Sequence, residues 1–310
     1  MGEHQDPTST PFHRGEVYFQ NLAGVADRMA VFGRKVIRDY MTDQHRDFFR
    51  LLPYVFIGSA DPQGYPWATI LEGPPGFAHA LSPKQLQLDV SRNSRDPAFA
   101  GLIEGATVSV LGIDLMTRRR NRVNGSILGV SGGGFTLSVE QAIGICPRYI
   151  QLRQIQSVSR VESILFPEAE HLTELDAAAK KMIQGCDTCF VASYAEIEGD
   201  SDKRSVDVTH RGGKSGFVRV EGNCLTVPEF AGNLHFNTLG NFLLNPLAGM
   251  LFVDFQTGDI LQVSGRAELL LEHPEIQAFQ GAEHLWRMHV EKVVRRPAAL
   301  ASRWKFLGMV

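Results

Sequence analysis

The densest group of residues that could do chemistry is the run Asp207-Val208-Thr209-His210-Arg211-Gly212-Gly213-Lys214. It ends a predicted strand, whose alternation places Asp207, Thr209 and Arg211 on one face. Arginine binds phosphate with a bidentate fork and lysine as a point charge. Paired glycines let the backbone approach a ligand closely. The pattern is typical either of a phosphate site or of a solvated hairpin with two incidental cations.

A second polar stretch precedes a short predicted helix over 239–244. Its polar, aromatic and glycine residues are Phe230, Gly232, Asn233, His235, Phe236, Asn237, Thr238, Gly240 and Asn241. The free N–H groups and partial positive charge of a helix N-terminus bind anions, although Asn237 or Thr238 could equally be a plain N-cap. Together the two stretches predict a site for a phosphorylated, flat ligand.

An arginine run in the first half is unusual on a chain with 31 Lys+Arg against 34 Asp+Glu. It consists of Arg118, Arg119, Arg120 and Arg122. Such a run either protects a solvated strand edge from aggregation or forms an anion site that contacts a ligand held by the other domain. The first-half counterpart of the 207–214 run, Glu72–Phe77, has no cation and is therefore unsuited to a phosphate.

The C-terminal pair Arg303-Trp304 follows a basic stretch. Trp304 could cover an aromatic ligand or pin the tail to the core. The sequence has no H-x-x-x-H pair and no second C-x-x-C, so it predicts no metal site. Its one G-x-S-x-G match, at 129–133, lies in a predicted hairpin turn that opens no helix, so it predicts no nucleophile elbow. No catalytic residue is assigned.

The elements that must position these residues occur twice. Phe77 to Gly125 and Phe217 to Gly265 are both 48 positions, and each span holds a short helix, an apolar strand and a strand ending in x-Val-x-Gly. Many short strands with few helices favour antiparallel barrels. The sequence thus predicts a mainly β (α+β) chain with an N-terminal helical extension over 1–50 and two domains over 51–160 and 170–310.

Composition excludes several classes of protein. The 310 residues are 44% hydrophobic and 21% charged, with a net charge of −3 and four cysteines. This fits neither disorder, nor a coiled coil, nor a disulfide scaffold, and gives no case for nucleic acid or a membrane surface as a partner. No apolar run approaches the roughly 20 residues of a membrane span. The polar N-terminus has no signal-peptide core, so we expect a cytoplasmic protein.

The second half resembles the pyridoxamine 5′-phosphate oxidase-related, FMN-binding split-barrel family. The runs that carry the resemblance are 205–217, 232–241, 245–258 and 263–265. The first half resembles the upstream part of a tandem-domain branch of that family, through the runs 58–67, 73–77, 117–125 and 146–150. The resemblance implies two tandem FMN-binding split β-barrels (Greek-key, antiparallel) with short flanking helices, and FMN at an interface between two barrels.

The resemblance also implies where the cofactor lies. Arg211 takes the place of a phosphate-binding lysine, whereas Phe236, Asn237 and Thr238 stand where the oxidases carry a Ser-Arg-Lys clamp. With two cations missing, FMN binds more weakly, draws on the 118–122 arginines of the other barrel, or is replaced by another ligand. The expected cofactor-binding residues are Asp207, Val208, Thr209, His210, Arg211, Gly212, Lys214, Phe230, Asn233, Phe236, Asn237, Thr238, Gly240 and Asn241. The expected cross-domain anion contacts are Arg118, Arg119, Arg120 and Arg122, and the expected flavin-covering tail is Arg303 and Trp304.

The implied function is that of an FMN-dependent oxidoreductase, which transfers hydride or electrons through the flavin. Its partners would be a small-molecule substrate or NAD(P)H, with a separate reductase as a further candidate. One alternative is a non-catalytic FMN-binding or sensing module. Another is a haem-binding split barrel with His210 or His235 as axial ligand. A third alternative is that the chain binds no cofactor. We expect a homodimer, because unpaired barrel faces leave apolar surface.

Overall fold

The computed structural model describes residues 10–156, 167–197 and 200–308. Its helices are α1 (Arg14–Leu22), α2 (Ala26–Val36), α3 (Asp43–Leu51), α4 (Ala177–Gly185) and α5 (Asn237–Leu244), with 3₁₀ turns at Pro97–Gly101 and Pro274–Ala278. The first-half strands are β1 (Tyr54–Ala60), β2 (Pro66–Glu72), β3 (Ala78–Ser82), β4 (Gln85–Leu88), β5 (Thr107–Ile113), β6 (Arg120–Ser131), β7 (Gly134–Ile145) and β8 (Leu152–Gln156). The second-half strands are β9 (Glu170–Leu172), β10 (Thr188–Ile197), β11 (Asp200–Gly212), β12 (Arg219–Glu221), β13 (Cys224–Phe230), β14 (Leu247–Val253), β15 (Ile260–Leu270), β16 (Ala282–Arg296) and β17 (Arg303–Gly308).

The described strands form two large sheets that follow the same path. The first sheet has the order β2-β1-β5-β6-β7-β4-β3, and the second has the order β11-β10-β14-β15-β16-β13-β12, with β9 added beside β16. Strand pairs in both are antiparallel, as in β1–β2 and β10–β11. The prediction of a mostly β, antiparallel fold with few helices is therefore confirmed. None of the helices in the described ranges has the length and apolarity that crossing a bilayer requires.

The matched spacing in the sequence has a structural cause in two glycines. Gly125 and Gly265 both lie where the pairing with the next strand shifts register. A Cβ on Gly125 would lie 1.8 Å from the Ser138 carbonyl oxygen, and one on Gly265 would lie 2.0 Å from that of His289. Only glycine fits such a close approach of two backbones. The repeated x-Val-x-Gly pattern therefore marks the same bulge in each sheet.

Three large hydrophobic cores and a small one around Trp67 hold the described part of the chain together. One core lies within each sheet, and the third joins the two sheets. At the centre of the third core the rings of Phe56 and Phe190 stack at 3.5 Å. Phe56 lies opposite Ile70 on the neighbouring strand, and Phe190 lies opposite His210, so the two rings occupy equivalent positions in their sheets. The two halves thus cover each other's apolar faces within one chain.

This arrangement bears on the expected homodimer. A homodimer is expected if an apolar face of each half is left uncovered. The faces centred on Phe56 and Phe190 are already covered, because they pack on each other within one chain. Homodimerisation stays a prediction. A further link between the halves is the two-stranded sheet of β8 and β17.

Helix α1 packs against α5 of the second half. A Cβ on Gly15 would lie 2.2 Å from the carbonyl oxygen of Gly240, so the two helices touch backbone to backbone. The helix begins with a capping box, in which the His13 Nδ1 accepts from the Gly15 N–H at 3.2 Å while Glu16 accepts from the His13 N–H at 2.9 Å. This capping places a carboxyl group beside the start of α5.

Candidate functional site

A cavity of about 1090 Å³, counted out to its open mouth, lies between the two halves. The first half contributes Leu111, Arg120, Arg122, Ile143, Ile145, Cys146, Arg148 and Tyr149 to its wall. The second half contributes Thr209, His210, Arg211, Gly212, Phe217, Pro228, Glu229, Phe230, Gly232, Asn233, Leu234, His235, Phe236, Asn237, Thr238, Leu239 and Glu283. The fold therefore brings the arginine run of the first half to the two polar stretches of the second.

The residues predicted from the sequence divide into two groups. Those that line the cavity are Thr209, His210, Arg211, Gly212, Phe230, Asn233, Phe236, Asn237, Thr238, Arg120 and Arg122. Those that do not are Asp207, Val208, Lys214, Gly240, Asn241, Arg118, Arg119, Arg303 and Trp304. The reasons for the second group differ from residue to residue.

Asp207 lies behind the cavity wall. Its carboxylate pairs with Arg122 at 3.0 Å and accepts from the side-chain amides of Asn124 at 2.9 Å and Asn241 at 3.1 Å. All of these groups are buried. Asp207 and Asn241 therefore fix the orientation of a lining arginine, and the next residue, Val208, points the other way into the core between the sheets.

Other predicted residues that do not line the cavity are exposed to solvent or pack against helices and loops outside it. Lys214 is exposed, and Gly240 is covered by α1. The Arg119 guanidinium donates to the Gln44 carbonyl at 2.8 Å and lies over the Phe48 ring.

The C-terminal pair holds the tail in place and does not cover the cavity. Trp304 is buried in the core between the sheets, edge-on to Tyr54 and Phe255. Arg303 donates to the Leu300 carbonyl. Of the two roles considered for Trp304, the structure places it in the one that pins the tail.

Arg120 is the most unusual group in the cavity. Two other guanidinium groups of the wall have carboxylate partners: the buried Arg122 pairs with Asp207 at 3.0 Å, and the half-buried Arg211 pairs with Glu229 at 3.1 Å. Arg120 pairs with no carboxylate among the residues described, and its Nε has no hydrogen-bond partner. Burial, together with the repulsion of the two neighbouring arginines, lowers the pKa of Arg120 to about 10. A buried cation without a partner is destabilising, and an anion in the cavity would relieve this.

His210 is neutral. Its ring is buried edge-on to Phe190, with centroids 5.5 Å apart, and neither ring nitrogen has a hydrogen-bond partner. Burial and the nearby cations Arg120 and Arg211 hold the pKa of His210 well below its usual value. The ring is enclosed, because even a Cβ on Gly212 would lie 3.0 Å from its Cε1 atom.

The start of α5 forms another part of the wall. The N-cap is Phe236, in a left-handed conformation with φ 58° and no side-chain cap, so the predicted N-cap role of Asn237 or Thr238 is wrong. Leu234 is left-handed too, with φ 64°. Non-glycine residues in this region are strained, and such strain clusters at functional sites. The Thr238 hydroxyl lies 3.1 Å from that of Thr209, which ties the helix start to β11.

Sequence reasoning missed the part that α1 plays behind this wall. The Glu16 carboxyl accepts from the Asn237 side chain, whose oxygen in turn accepts from Arg122 at 3.1 Å. Burial, reinforced by the charge of Asp207, raises the pKa of Glu16 to about 8. The His13-x-x-Glu16 spacing of a capping box was the available signal.

The turn after β7 was also missed as a wall element. Its sequence carried the family resemblance, but no residue in it was assigned to the site. Tyr149 has a left-handed backbone with φ 65°, and its hydroxyl donates to the Ala231 carbonyl at 2.9 Å. The turn therefore connects the first half to the second across the mouth of the cavity.

A second cavity of about 1300 Å³ lies between the end of β2 and the end of β16. Its buried guanidinium, Arg296, pairs with Asp96 at 2.9 Å and contacts the Thr69 hydroxyl. Gln262 lies opposite Leu251 as Arg122 lies opposite Leu111, and it also donates to Asp96. The two cavities thus differ at their enclosed guanidinium groups, since Arg296 is paired with a carboxylate whereas Arg120 has no such partner in the described part of the chain.

Comparison with known proteins found no matching family model and no matching curated protein. Solved structures that are similar to part of the chain include a FAD-binding protein from Mesorhizobium loti, with 14% identity over 41% of this chain and 96% of that one and a TM-score of 0.29. Another is a putative pyridoxamine 5′-phosphate oxidase from Lactobacillus delbrueckii, with 18% identity, 34% and 95% coverage and a TM-score of 0.27. A haem binding protein from Mycobacterium smegmatis matches with 17% identity, 42% and 58% coverage and a TM-score of 0.26. Similarity at this level carries no argument about function.

Proposed function

We propose that the chain is an FMN-binding flavoprotein of the split-barrel type and that the cavity between its halves holds the cofactor. The observation that carries the proposal is the guanidinium of Arg120, whose enclosed Nε has no partner among the described residues, while Arg122 and Arg211 beside it in the cavity wall are already paired with carboxylates. A phosphate supplies the charge that this group lacks, and arginine binds phosphate through charge-assisted hydrogen bonds.

The remaining wall suits a flat, partly polar ring. Phe230, the Thr209–Thr238 hydroxyl pair and the uncapped start of α5 offer an apolar face, hydroxyl groups and backbone N–H donors. Small-ligand sites are mostly apolar with a few convergent polar groups. These residues fit FMN although the oxidase clamp is absent, because the cation comes from Arg120 of the other half.

Bound FMN supplies hydride or electron transfer at its isoalloxazine ring. Arg211, held by Glu229, is the cation placed to stabilise negative charge that develops on a ring in the cavity. His210 stays neutral and adds no charge. The proposed activity is therefore that of an oxidoreductase whose chain binds and orients the cofactor.

The haem alternative fits this cavity less well. Haem needs a ring nitrogen that can reach the iron, and both nitrogens of His210 are enclosed. The His235 ring is packed between Phe12 and Phe32, with centroids 5.3 and 6.3 Å away. Either histidine would have to leave its packing to become a ligand.

The test is a titration of the cofactor-free protein with FMN and, separately, with riboflavin, which lacks the phosphate. Arg120→Gln should weaken FMN binding about 10- to 100-fold, since a hydrogen bond to a charged group contributes about 1.5–3 kcal/mol. Riboflavin binding should change little. The matched control is Arg118→Gln, a member of the same arginine run that does not line the cavity.

Three results would count against the proposal. The first is a wild-type protein that binds no FMN. The second is equal FMN affinity in the Arg120→Gln and Arg118→Gln variants. The third is an intense haem absorption band in the purified protein, with no flavin bands and no uptake of added FMN.

A further inference from the structure

Two guanidinium groups of the cavity have no carboxylate partner among the described residues, and they lie at different depths. Arg120 is half-buried with its Nε fully enclosed, whereas Arg148 is exposed on the turn at the mouth. FMN carries one phosphate, and under the proposed function Arg120 receives it. One cation is then left over at the entrance.

The residue next to this cation is held unusually firmly. Tyr149 keeps its left-handed backbone while its hydroxyl donates to Ala231, and its carbonyl oxygen lies where a Cβ of residue 212 would come within 2.0 Å. Its ring stacks on that of Phe230, with centroids 5.5 Å apart and planes 30° apart. The three contacts all come from the second half, so the aromatic surface at the mouth is rigid.

This surface is also accessible. Tyr149 is 37% exposed, and it lines the cavity on the turn that connects the two halves. A flat ring in contact with the tyrosine would place an attached phosphate beside Arg148. Glu283, an exposed carboxylate that also lines the cavity, repels anions, so Arg148 is the group that must supply the attraction.

We infer that the mouth of the cavity is a second binding site, for a nucleotide whose base packs on Tyr149 and whose phosphate pairs with Arg148. The inference rests on the proposed function, because it assigns the inner cation to FMN. It names the class of the second substrate as a phosphorylated aromatic molecule that reaches the cofactor from the side of the Tyr149 turn.

The experiment uses the full chain saturated with FMN and measures binding by calorimetry. The probes are NADPH and three smaller molecules: AMP has base and phosphate, adenosine has the base only, and ribose 5-phosphate has the phosphate only. NADPH and AMP should bind, and the other two should bind at least tenfold more weakly than AMP. Arg148→Gln should weaken NADPH and AMP about tenfold or more, as expected for loss of one charge-assisted contact. Tyr149→Ala should do the same to AMP.

FMN affinity, measured without nucleotide, separates this inference from the proposed function. It should stay within twofold of wild type in Arg148→Gln, and Arg118→Gln should leave both ligands unchanged. If the wild type binds FMN but neither NADPH nor AMP, the second site is wrong while the first stands. If Arg148→Gln weakens FMN as strongly as Arg120→Gln does, Arg148 belongs to the inner phosphate site and the inference is also wrong. If the wild type binds no FMN, both fall together.

Discussion

The buried carboxyl of Glu16 makes the stability of the chain depend on pH. In the folded chain the group keeps its proton up to about pH 8, whereas an ordinary glutamate loses it near pH 4.5. The folded state therefore holds more protons than the unfolded state between these values. The free energy of unfolding must then fall as the pH rises through this window, and the loss is complete above the folded pKa.

The size of the effect follows from the width of the window. Each pH unit over which only the folded state holds the proton changes the free energy of unfolding by about 1.4 kcal/mol. Between about pH 5 and about pH 8 the wild type should lose about 3 kcal/mol through this one group. The groups around it are His13 on the same helix, Asp207 on β11 and Arg122 on β6.

Glu16→Gln isolates this contribution. Glutamine keeps the shape of a protonated glutamate, with one accepting oxygen and one donor group. Urea unfolding followed by circular dichroism at a series of pH values should show the wild type losing about 3 kcal/mol relative to the variant across the window. Histidines that do not contact Glu16 titrate equally in both proteins and cancel in the difference. His13, whose Nε2 lies 3.6 Å from the Glu16 carboxyl, is replaced by asparagine in both proteins so that it does not contribute.

The matched control is Glu104→Gln, which alters an exposed glutamate. Its stability should run parallel to that of the wild type at every pH. If the Glu16→Gln curve is also parallel, Glu16 is ionised in the folded chain and the account of the buried network behind α5 is wrong.

Three further variants test other contacts. Phe56→Ala, and equally Phe190→Ala, should lower the free energy of unfolding by about 3–5 kcal/mol in a denaturant titration, and the double variant should lose less than the sum, because each ring packs on the other. Gly212→Ala should reduce both FMN affinity and thermal stability, since its Cβ would lie 2.0 Å from the Tyr149 carbonyl oxygen. Asp207→Asn should destabilise the chain by about 3–5 kcal/mol in urea, because it leaves a buried arginine without its charge partner.

Each of these has a control in the chain. Val31→Ala changes an exposed hydrophobic residue and should be nearly neutral, as should Gly129→Ala, which lies outside the cavity wall and whose Cβ would meet no atom within 4 Å. Asp27→Asn changes an exposed carboxylate of α2. The stacking argument is contradicted if the losses of the two phenylalanine variants add up in the double variant. The close-contact argument is contradicted if Gly212→Ala is as stable as the wild type. The ion-pair argument is contradicted if Asp207→Asn is as stable as Asp27→Asn.

Much of the architecture could be predicted because it leaves local marks. The equal spacing of Phe77–Gly125 and Phe217–Gly265 reflects two bulges with the same close backbone contact. The strand ending at Gly212 and the helix before Asn245 were visible as hydrophobic patterns with clear ends. These features depend on contacts within a single sheet, so the sequence pattern of one half is enough to predict them in that half.

The candidate site depends on contacts that no local pattern encodes. The sequence singled out four arginines as equals, yet only Arg120 lines the cavity without a carboxylate partner among the described residues, because Arg122 finds Asp207 from the other half and Arg119 finds Gln44. Glu16 belongs to a polar N-terminal stretch to which the sequence assigned no part in the site, and its burial follows from the packing of α1 against α5. Both depend on how distant segments pack together.

The equivalence of the two halves has a consequence for how this chain can change over evolutionary time. In a symmetric dimer of identical subunits every substitution is inherited at two places at once, so neither pocket can depart from the other. Here the equivalent positions belong to separate codons: arginine stands at 122 where glutamine stands at 262. Covalent linkage therefore lets one pocket keep a cation, Arg120, that has no carboxylate partner in the described ranges, while the enclosed arginine of the other, Arg296, is paired with Asp96. The Phe56–Phe190 contact belongs to both halves, so it constrains the sequence of both. Substitutions that change one pocket are tolerated only if this contact between the two sheets is kept.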